Sequence, residues 1–133
     1  MSFGDYLENE VLDHVFGADS YSPPASLYVG LSSTDPGDDG SGITEPSGGA
    51  YARVEVTNNT TNWPAAVSGA KANGTLISFP KATALWGTMA WVIIMDAASG
   101  GNFLAGGALT ASKIVDVNDQ PSFSAGDIVV TLD

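Results

Sequence analysis

The first seventeen residues place apolar and acidic side chains at the spacing of an α-helix. Apolar positions recur every four residues and two more widen the stripe, which comprises Phe3, Leu7, Val11, Leu12, Val15 and Phe16. Acidic residues occupy much of the opposite side, so the pattern predicts an amphipathic helix near residues 3–16. Ser2 is placed to cap its first turn, and Gly17 to end it in a left-handed conformation. We expect residues 1–17 to be either an assembly arm or a cover for the rest of the domain.

The remainder of the chain, residues 18–133, carries the two-residue alternation of β-strands. Short strands are predicted at 26–31, 51–57, 75–79, 89–95, 102–105, 113–117 and 128–132. The run MAWVIIM at 89–95 is apolar on both faces, which is typical of a central strand, and Gly106 and Gly107 predict a break. This spacing of short strands and turns predicts a mainly β fold, a single antiparallel β-sandwich resembling a jelly roll.

A long polar segment at residues 32–50 interrupts the strands. It is dense in Gly, Pro, Asp and Ser and nearly free of apolar side chains, which is typical of a surface loop. Loops longer than about 12–15 residues are uncommon in compact domains and are usually functional or disordered. Ordering its backbone costs about 1–2 kcal/mol per residue. We therefore predict that this segment becomes ordered only against a neighbouring subunit.

The charge balance excludes several partners. Fifteen acidic residues face four basic ones, which gives a net charge of −11. Such a chain has too few cations to neutralise phosphates, so we expect no nucleic-acid partner, and an anionic membrane would repel it. No apolar run is long enough to span a bilayer, and the N-terminus lacks the pattern of a secretion signal. We expect a soluble protein that is made in a cytoplasm.

Candidate catalytic and metal-binding residues are few. Cysteine is absent and His14 is the single histidine, so a zinc site is close to excluded and no nucleophile–base pattern is visible. Asp35, Asp38 and Asp39 invite a calcium site, but their spacing departs from the EF-hand pattern. Turn formation by solvated acids is the favoured interpretation. We expect no enzyme activity and no cofactor.

Tryptophans are the remaining candidates for ligand contact. Trp91 lies within the predicted central strand, so we assign it to the core. Trp63 and Trp86 lie at strand ends, where an indole ring can stack on a glycan, contact another subunit or pack inside its own domain. These three roles stay open for Trp63 and Trp86.

Four segments together resemble a known family. They are YLENEVLDHVFG, LYVGLSSTDPGDDGSG, EPSGGAYARVEV and WVIIMDAASGGNFLAGGALTASKIV, in this order and spacing. The chain is similar to small virion proteins of tailed bacteriophages, usually labelled phage tail fibre proteins, and the similarity covers most of its length. The resemblance implies a non-enzymatic structural protein of a phage particle that is assembled in the host cytoplasm.

Two positions in such a particle stay open. Our first expectation is a capsid decoration, or cement, protein on the shell exterior, because the chain lacks the repeats that build a fibre shaft. The alternative is a tail fibre or tail-tip component that contacts the host surface, and a small lectin-like or hydrolytic domain is a third class. The expected partners are the major capsid protein or, in the alternative, tail proteins. Further copies of the chain are also expected, most simply as a trimer that buries the helix stripe.

Overall fold

The computed structural model describes residues 1–132, which form one helix and nine strands. In chain order these are β1 (Ser2–Phe3), α1 (Asp5–Phe16), β2 (Ser26–Ser32), β3 (Val54–Thr57), β4 (Ala70–Ala72), β5 (Ile77–Ser78), β6 (Gly87–Met95), β7 (Phe103–Val115), β8 (Ser122–Phe123) and β9 (Val129–Thr131). Five strands form an antiparallel sheet in the order β1-β7-β6-β2-β3, and β4-β9 and β5-β8 form two-stranded ribbons. The predicted mainly β fold with an N-terminal helix is confirmed.

The principal core lies between one face of the five-stranded sheet and the two ribbons. Val29 of β2 and Ile94 of β6 pack in one cluster with Ile77, Phe79 and Ile128. All five side chains are buried. Two ribbons therefore take the place of the second full sheet that a jelly roll would have, and the packing is still that of two layers.

β6 is the central strand because both of its faces are covered. Val92 and Ile94 belong to the principal core, whereas Ile93 and Met95 belong to a second cluster against which Ile43 packs. Ile43 lies in the long polar segment, so that segment covers the second face of the sheet. The central position predicted from MAWVIIM is confirmed, since β6 is third in the order of five strands.

β7 is longer than predicted. Gly106 and Gly107 lie inside it and pair with β6, so the predicted break at these glycines is wrong. The pairing is interrupted further on, where Ala90 of β6 lies opposite the four residues 109–112 of β7. An unequal count of this kind is a β-bulge, which bends the strand without ending it.

The ends of α1 differ from the prediction. Ser2 belongs to β1, which pairs with β7, so the helix starts after Gly4, and within residues 1–132 no side chain caps it. Gly17 ends the helix at φ −135°, and the left-handed residue is Ala18 at φ 55°. The predicted Ser2 cap is therefore wrong, because strand pairing takes up the first residues. The predicted left-handed Gly17 is also wrong, because Ala18 has that conformation. No helix within residues 1–132 has the length and apolarity that crossing a membrane requires.

Candidate interaction surfaces

The predicted apolar stripe of α1 divides into two halves. Phe3, Leu7 and Val11 are half-buried and face their own domain. The other half is exposed, with exposed fractions of 54%, 60% and 83% for Leu12, Val15 and Phe16. We call these last three residues the apolar tip. The helix contacts β1 and β7, and the apolar tip is the part of the predicted stripe that remains exposed.

A groove runs along the half-buried face of α1. It lies between the helix, the connector at residues 21–27 and the β4-β9 ribbon, and its volume is about 480 Å³. Its walls are nearly all apolar and include Leu7, Val11, Pro24, Leu27, Trp63, Leu104 and Val130. Lys71 is the one charged residue among its described lining residues, and its Nζ donates to the carbonyl oxygen of Pro64 at 2.9 Å. We call this cavity the helix groove.

Trp63 lines the helix groove but is itself only 4% exposed. The indole ring of Trp63 is therefore packed inside its own domain and is not exposed as a surface platform. Its ring nitrogen Nε1 is buried and has no hydrogen-bond acceptor within the described part of the chain. A buried indole N–H usually has a partner, so Trp63 is an exception among the buried side chains of residues 1–132.

Trp86 also packs inside its own domain. It is buried, and its ring lies edge-on to that of Tyr51 with centroids 5.2 Å apart. Its Nε1 donates to the carbonyl oxygen of Gly49 at 2.7 Å. Trp91, which was assigned to the core, is only half-buried, because it borders a small cavity beside the long polar segment.

Three side chains fasten the long polar segment, and we call Glu45, Tyr51 and Arg53 the clamp. Arg53 donates from Nε and Nη2 to the two carboxylate oxygens of Glu45, at 2.9 Å and 2.8 Å. Its Nη1 donates to two carbonyl oxygens of the turn between β6 and β7. Tyr51 Oη donates to Glu45 at 2.7 Å and accepts the backbone N–H of Leu31 at 3.0 Å. The clamp thus joins the segment to β2, β3 and the β6–β7 turn.

The protonation states of the clamp suit a structural role. Burial alone would raise the pKa of Glu45, but the hydrogen bonds from Arg53 and Tyr51 and the charge of Arg53 hold that pKa below its usual value. The hydrogen bond to Glu45 raises the pKa of Arg53. Burial and the hydrogen bond to Glu45 raise the pKa of Tyr51 far above its usual value. The carboxylate and guanidinium therefore stay charged and the phenol stays neutral near pH 7.

Further contacts hold residues 32–50 on their own domain. Ser32 Oγ accepts the N–H of Thr44 at 2.9 Å and donates to the carbonyl oxygen of Thr34 at 2.7 Å. A Cβ atom on Gly30 would lie 2.9 Å from Glu45 Oε1 and 2.9 Å from Tyr51 Oη, so glycine permits this close approach. These contacts argue against the prediction that the segment becomes ordered only beside a neighbouring subunit, because its polar groups bind their own domain.

Aspartates in this segment shape turns. Asp35 Oδ1 accepts the N–H of Gly37 and Asp39 Oδ1 accepts the N–H of Ser41, both at 2.9 Å. Hydrogen bonds from the side chain and the backbone N–H of Ser41 lower the pKa of Asp39. Within residues 1–132 no group of three or more acidic or histidine side chains is arranged to hold a metal ion, so Asp35, Asp38 and Asp39 do not form such a group.

A second opening, of about 860 Å³, lies beside the bulge of β7. Its polar lining includes Asp119, Gln120 and Asp127, which the sequence did not single out. Asp119 and Asp127 accept backbone N–H groups within their own turns, and Gln120 donates to the carbonyl oxygen of Phe79. These side chains therefore serve local structure.

The clamp is the feature that sequence reasoning missed. Arg53 is one of only four basic residues, and it lies in the alternating segment at 51–57 that predicts a partly buried strand. A cation in such a position usually has a buried partner, which was the available signal. The sequence could not identify Glu45 as that partner because the two residues meet through tertiary packing.

A comparison with protein families agrees with the resemblance seen in the sequence. The family model described as "Podophage GP4 fiber I protein gp80" matches residues 2–131. None of the curated proteins matches the chain. The family match spans every helix and strand of the fold, and therefore the clamp and both walls of the helix groove.

Proposed function

The chain belongs to the Podophage GP4 fiber I protein gp80 family, and from that membership we propose that it is a non-enzymatic structural subunit of a phage tail fibre. A member of this family is a phage fibre-type protein and thus a structural component of the virion. The observation that carries the proposal is the match over residues 2–131. It favours the tail-fibre alternative over capsid decoration, which was our first expectation.

The fold suits a rigid unit that is joined to other fibre parts. Both faces of β6 are covered and the clamp fixes the longest loop, so these elements resist local opening. Within residues 1–132 there is no coiled coil or β-solenoid that could form a shaft. We therefore propose a tip or adaptor position, at which the domain contacts other tail proteins or the host surface.

The exposed apolar tip and the net charge of the chain indicate its partners. The apolar tip is exposed, and contiguous apolar surface of this kind usually marks a protein contact. We propose that the chain forms a homo-oligomer, most simply a trimer, which assembles into the virion in the host cytoplasm. A net charge of −11 disfavours a nucleic-acid partner.

Counting and locating the protein in purified particles tests the tail-fibre assignment. A tail component is present in far fewer copies than a shell decoration, which repeats over the whole capsid surface. We expect quantitative mass spectrometry to give the lower number and gold-labelled antibody to bind at the tail. Labelling distributed over the shell, with hundreds of copies, would contradict the proposal.

Particles that lack the protein give an independent test. We expect them to adsorb poorly to host cells and to retain their DNA on heating as well as complete particles do. Complementation with the intact chain supplies the control. Normal adsorption together with early DNA loss on heating would instead support capsid decoration.

A further inference from the structure

Asn73, which is only 2% exposed, directly follows β4 and binds the segment that leads into β9. Its Nδ2 donates to the carbonyl oxygens of Thr75 and Ser124, at 2.9 Å and 3.0 Å. Its Oδ1 accepts the N–H of Ile128 at 2.9 Å, and its backbone carbonyl accepts the N–H of Gly126 at 2.8 Å. Only an amide side chain supplies both the donors and the acceptor that this position uses.

Gly74, the next residue, leaves no room for a side chain. Its N–H donates to the carbonyl oxygen of Asn62 at 2.7 Å. A Cβ atom at Gly74 would collide with the carbonyl oxygen of Thr61 and would lie 2.8 Å from two ring carbons of Pro64. Tight packing therefore requires glycine here, just as the hydrogen bonds require asparagine before it. The pair Asn-Gly occurs once in the chain.

An Asn-Gly pair is open to deamidation. The backbone nitrogen of the glycine loses its proton to water and attacks Cγ of the asparagine side chain. A C–N bond forms, ammonia leaves, and the resulting succinimide ring is opened by water to aspartate or isoaspartate. Glycine has no Cβ to hinder the attack. In the folded chain, however, the N–H of Gly74 is bound to Asn62 and the amide of Asn73 is held by its own hydrogen bonds.

The β4-β9 ribbon is the element whose opening would free this pair. Its two strands, Ala70–Ala72 and Val129–Thr131, are joined by three residue pairs, and two-stranded ribbons are marginal without further packing. Separation of β4 from β9 breaks the bonds of Asn73 to the residues before β9 and admits water. The Asn-Gly pair can then move away from Asn62 and react.

We propose that Asn73-Gly74 is a latent modification site, closed in the folded chain and open to deamidation when β4 separates from β9. The product lacks the amide hydrogens, so its carboxylate would face the carbonyl oxygens of Thr75 and Ser124. A buried carboxylate that faces other acceptors is disfavoured, and isoaspartate also lengthens the backbone. Deamidation therefore makes a reversible opening of the ribbon permanent.

Deamidation of the full wild-type chain tests the protection. Folded protein and protein in strong denaturant are incubated side by side at mildly alkaline pH. Mass spectrometry then follows the tryptic peptide 72–81, in which Asn73 is the single asparagine. We expect the folded chain to react about 100-fold more slowly or less, because modification follows the small open population. Similar rates in the two samples would overturn the proposal.

Two core variants test where the site opens. Ile128→Ala removes a buried side chain beside the ribbon, whereas Ile93→Ala removes an equally buried one from the second core cluster. The two variants are compared at denaturant concentrations that give them equal free energies of unfolding. We expect Ile128→Ala to deamidate at Asn73 about tenfold faster, because it favours local opening of the ribbon. Equal rates would mean that only global unfolding exposes the site, and would refute opening through the ribbon.

Asn73→Asp reproduces one product and tests whether the change is permanent. It should raise the equilibrium constant of unfolding by about 30-fold or more. Asn9→Asp is the matched control, since Asn9 is exposed and the substitution adds the same charge. We expect the control to change that constant by about twofold or less. Chemical denaturation measures both variants, and an Asn73→Asp chain as stable as wild type would contradict the proposal. None of these measurements uses the virion, so their failure would leave the fibre assignment intact.

Discussion

At the scale of single residues, Glu45 decides how the longest loop is held. Its carboxylate accepts two hydrogen bonds from Arg53 and one from Tyr51, and the side chains of Arg53 and Glu45 are 6% and 21% exposed. A buried ion pair adds little net stability compared with apolar packing, but the loss of one partner is costly because a buried charge is left behind. The clamp should therefore be sensitive to the loss of either charge.

Glu45→Gln should lower the free energy of unfolding by about 1–3 kcal/mol, because Arg53 then lacks its counter-charge in a buried position. Glu55→Gln is the matched control, since Glu55 is an exposed acid nearby in β3 and accepts one hydrogen bond from Ser26. We expect the control to change stability by less than about 0.5 kcal/mol. Chemical denaturation measures both variants, and equal effects would show that the clamp has no special role.

The same carboxylate makes stability depend on pH. The pKa of Glu45 in the folded chain lies below its usual value, so the folded state binds this proton less readily than the unfolded chain does. The stabilisation is complete above the unfolded pKa and is lost as the pH falls through the folded pKa. The stability difference between wild type and Glu45→Gln should be constant above about pH 6 and shrink below about pH 4. A difference that persists at low pH would assign the effect to packing instead.

At the scale of elements, the segment at 32–50 behaves as part of the sheet despite its composition. Ser32 is fully buried at the end of β2 and satisfies the backbone of Thr34 and Thr44. Ile43 packs against the second core cluster. The segment thus has hydrogen-bond partners and apolar contacts on its own domain.

Ser32→Ala should release this segment. The N–H of Thr44 loses its acceptor, and the loss of this part-buried hydrogen bond costs about 0.5–1.5 kcal/mol. We expect faster cleavage between residues 33 and 50 by a non-specific protease, together with faster hydrogen exchange at Thr44. Ser33→Ala is the control, because its hydroxyl makes a longer, exposed contact of 3.3 Å. Rapid cleavage of the wild-type chain would indicate that the segment is not held by its own domain.

At the scale of the whole molecule, an acidic surface opposes the apolar contact. Each copy carries a net charge of −11, so copies repel one another at low ionic strength. The exposed apolar side chains of α1 favour association. Which effect dominates depends on salt, because the Debye length falls from about 30 Å at 0.01 M to about 8 Å at 0.15 M.

Self-association of the isolated chain should therefore strengthen as salt is added. We expect the dissociation constant measured by sedimentation to fall between about 0.02 M and 0.5 M sodium chloride, because screening removes repulsion. Association that weakens with salt would mean that ion pairs, and not the apolar tip, hold the copies together.

The sequence by itself determined the local features of this protein. The four-residue period located α1, the two-residue period located most of the strands, and the doubly apolar run identified β6 as central. The family resemblance likewise rests on the order of its segments. These features depend on near neighbours in the chain, which is why periodicity reveals them.

Tertiary structure alone decided which side chains meet. It buried Trp63 and Trp86, paired Glu45 with Arg53, and left Phe16 in solvent although Leu7 of the same stripe is half-buried. The polar composition of residues 32–50 indicated mobility, yet their hydrogen-bond partners lie on their own sheet. Such contacts join residues that are distant in sequence, and their energies depend on burial and geometry. Neither composition nor periodicity specifies burial or contact geometry.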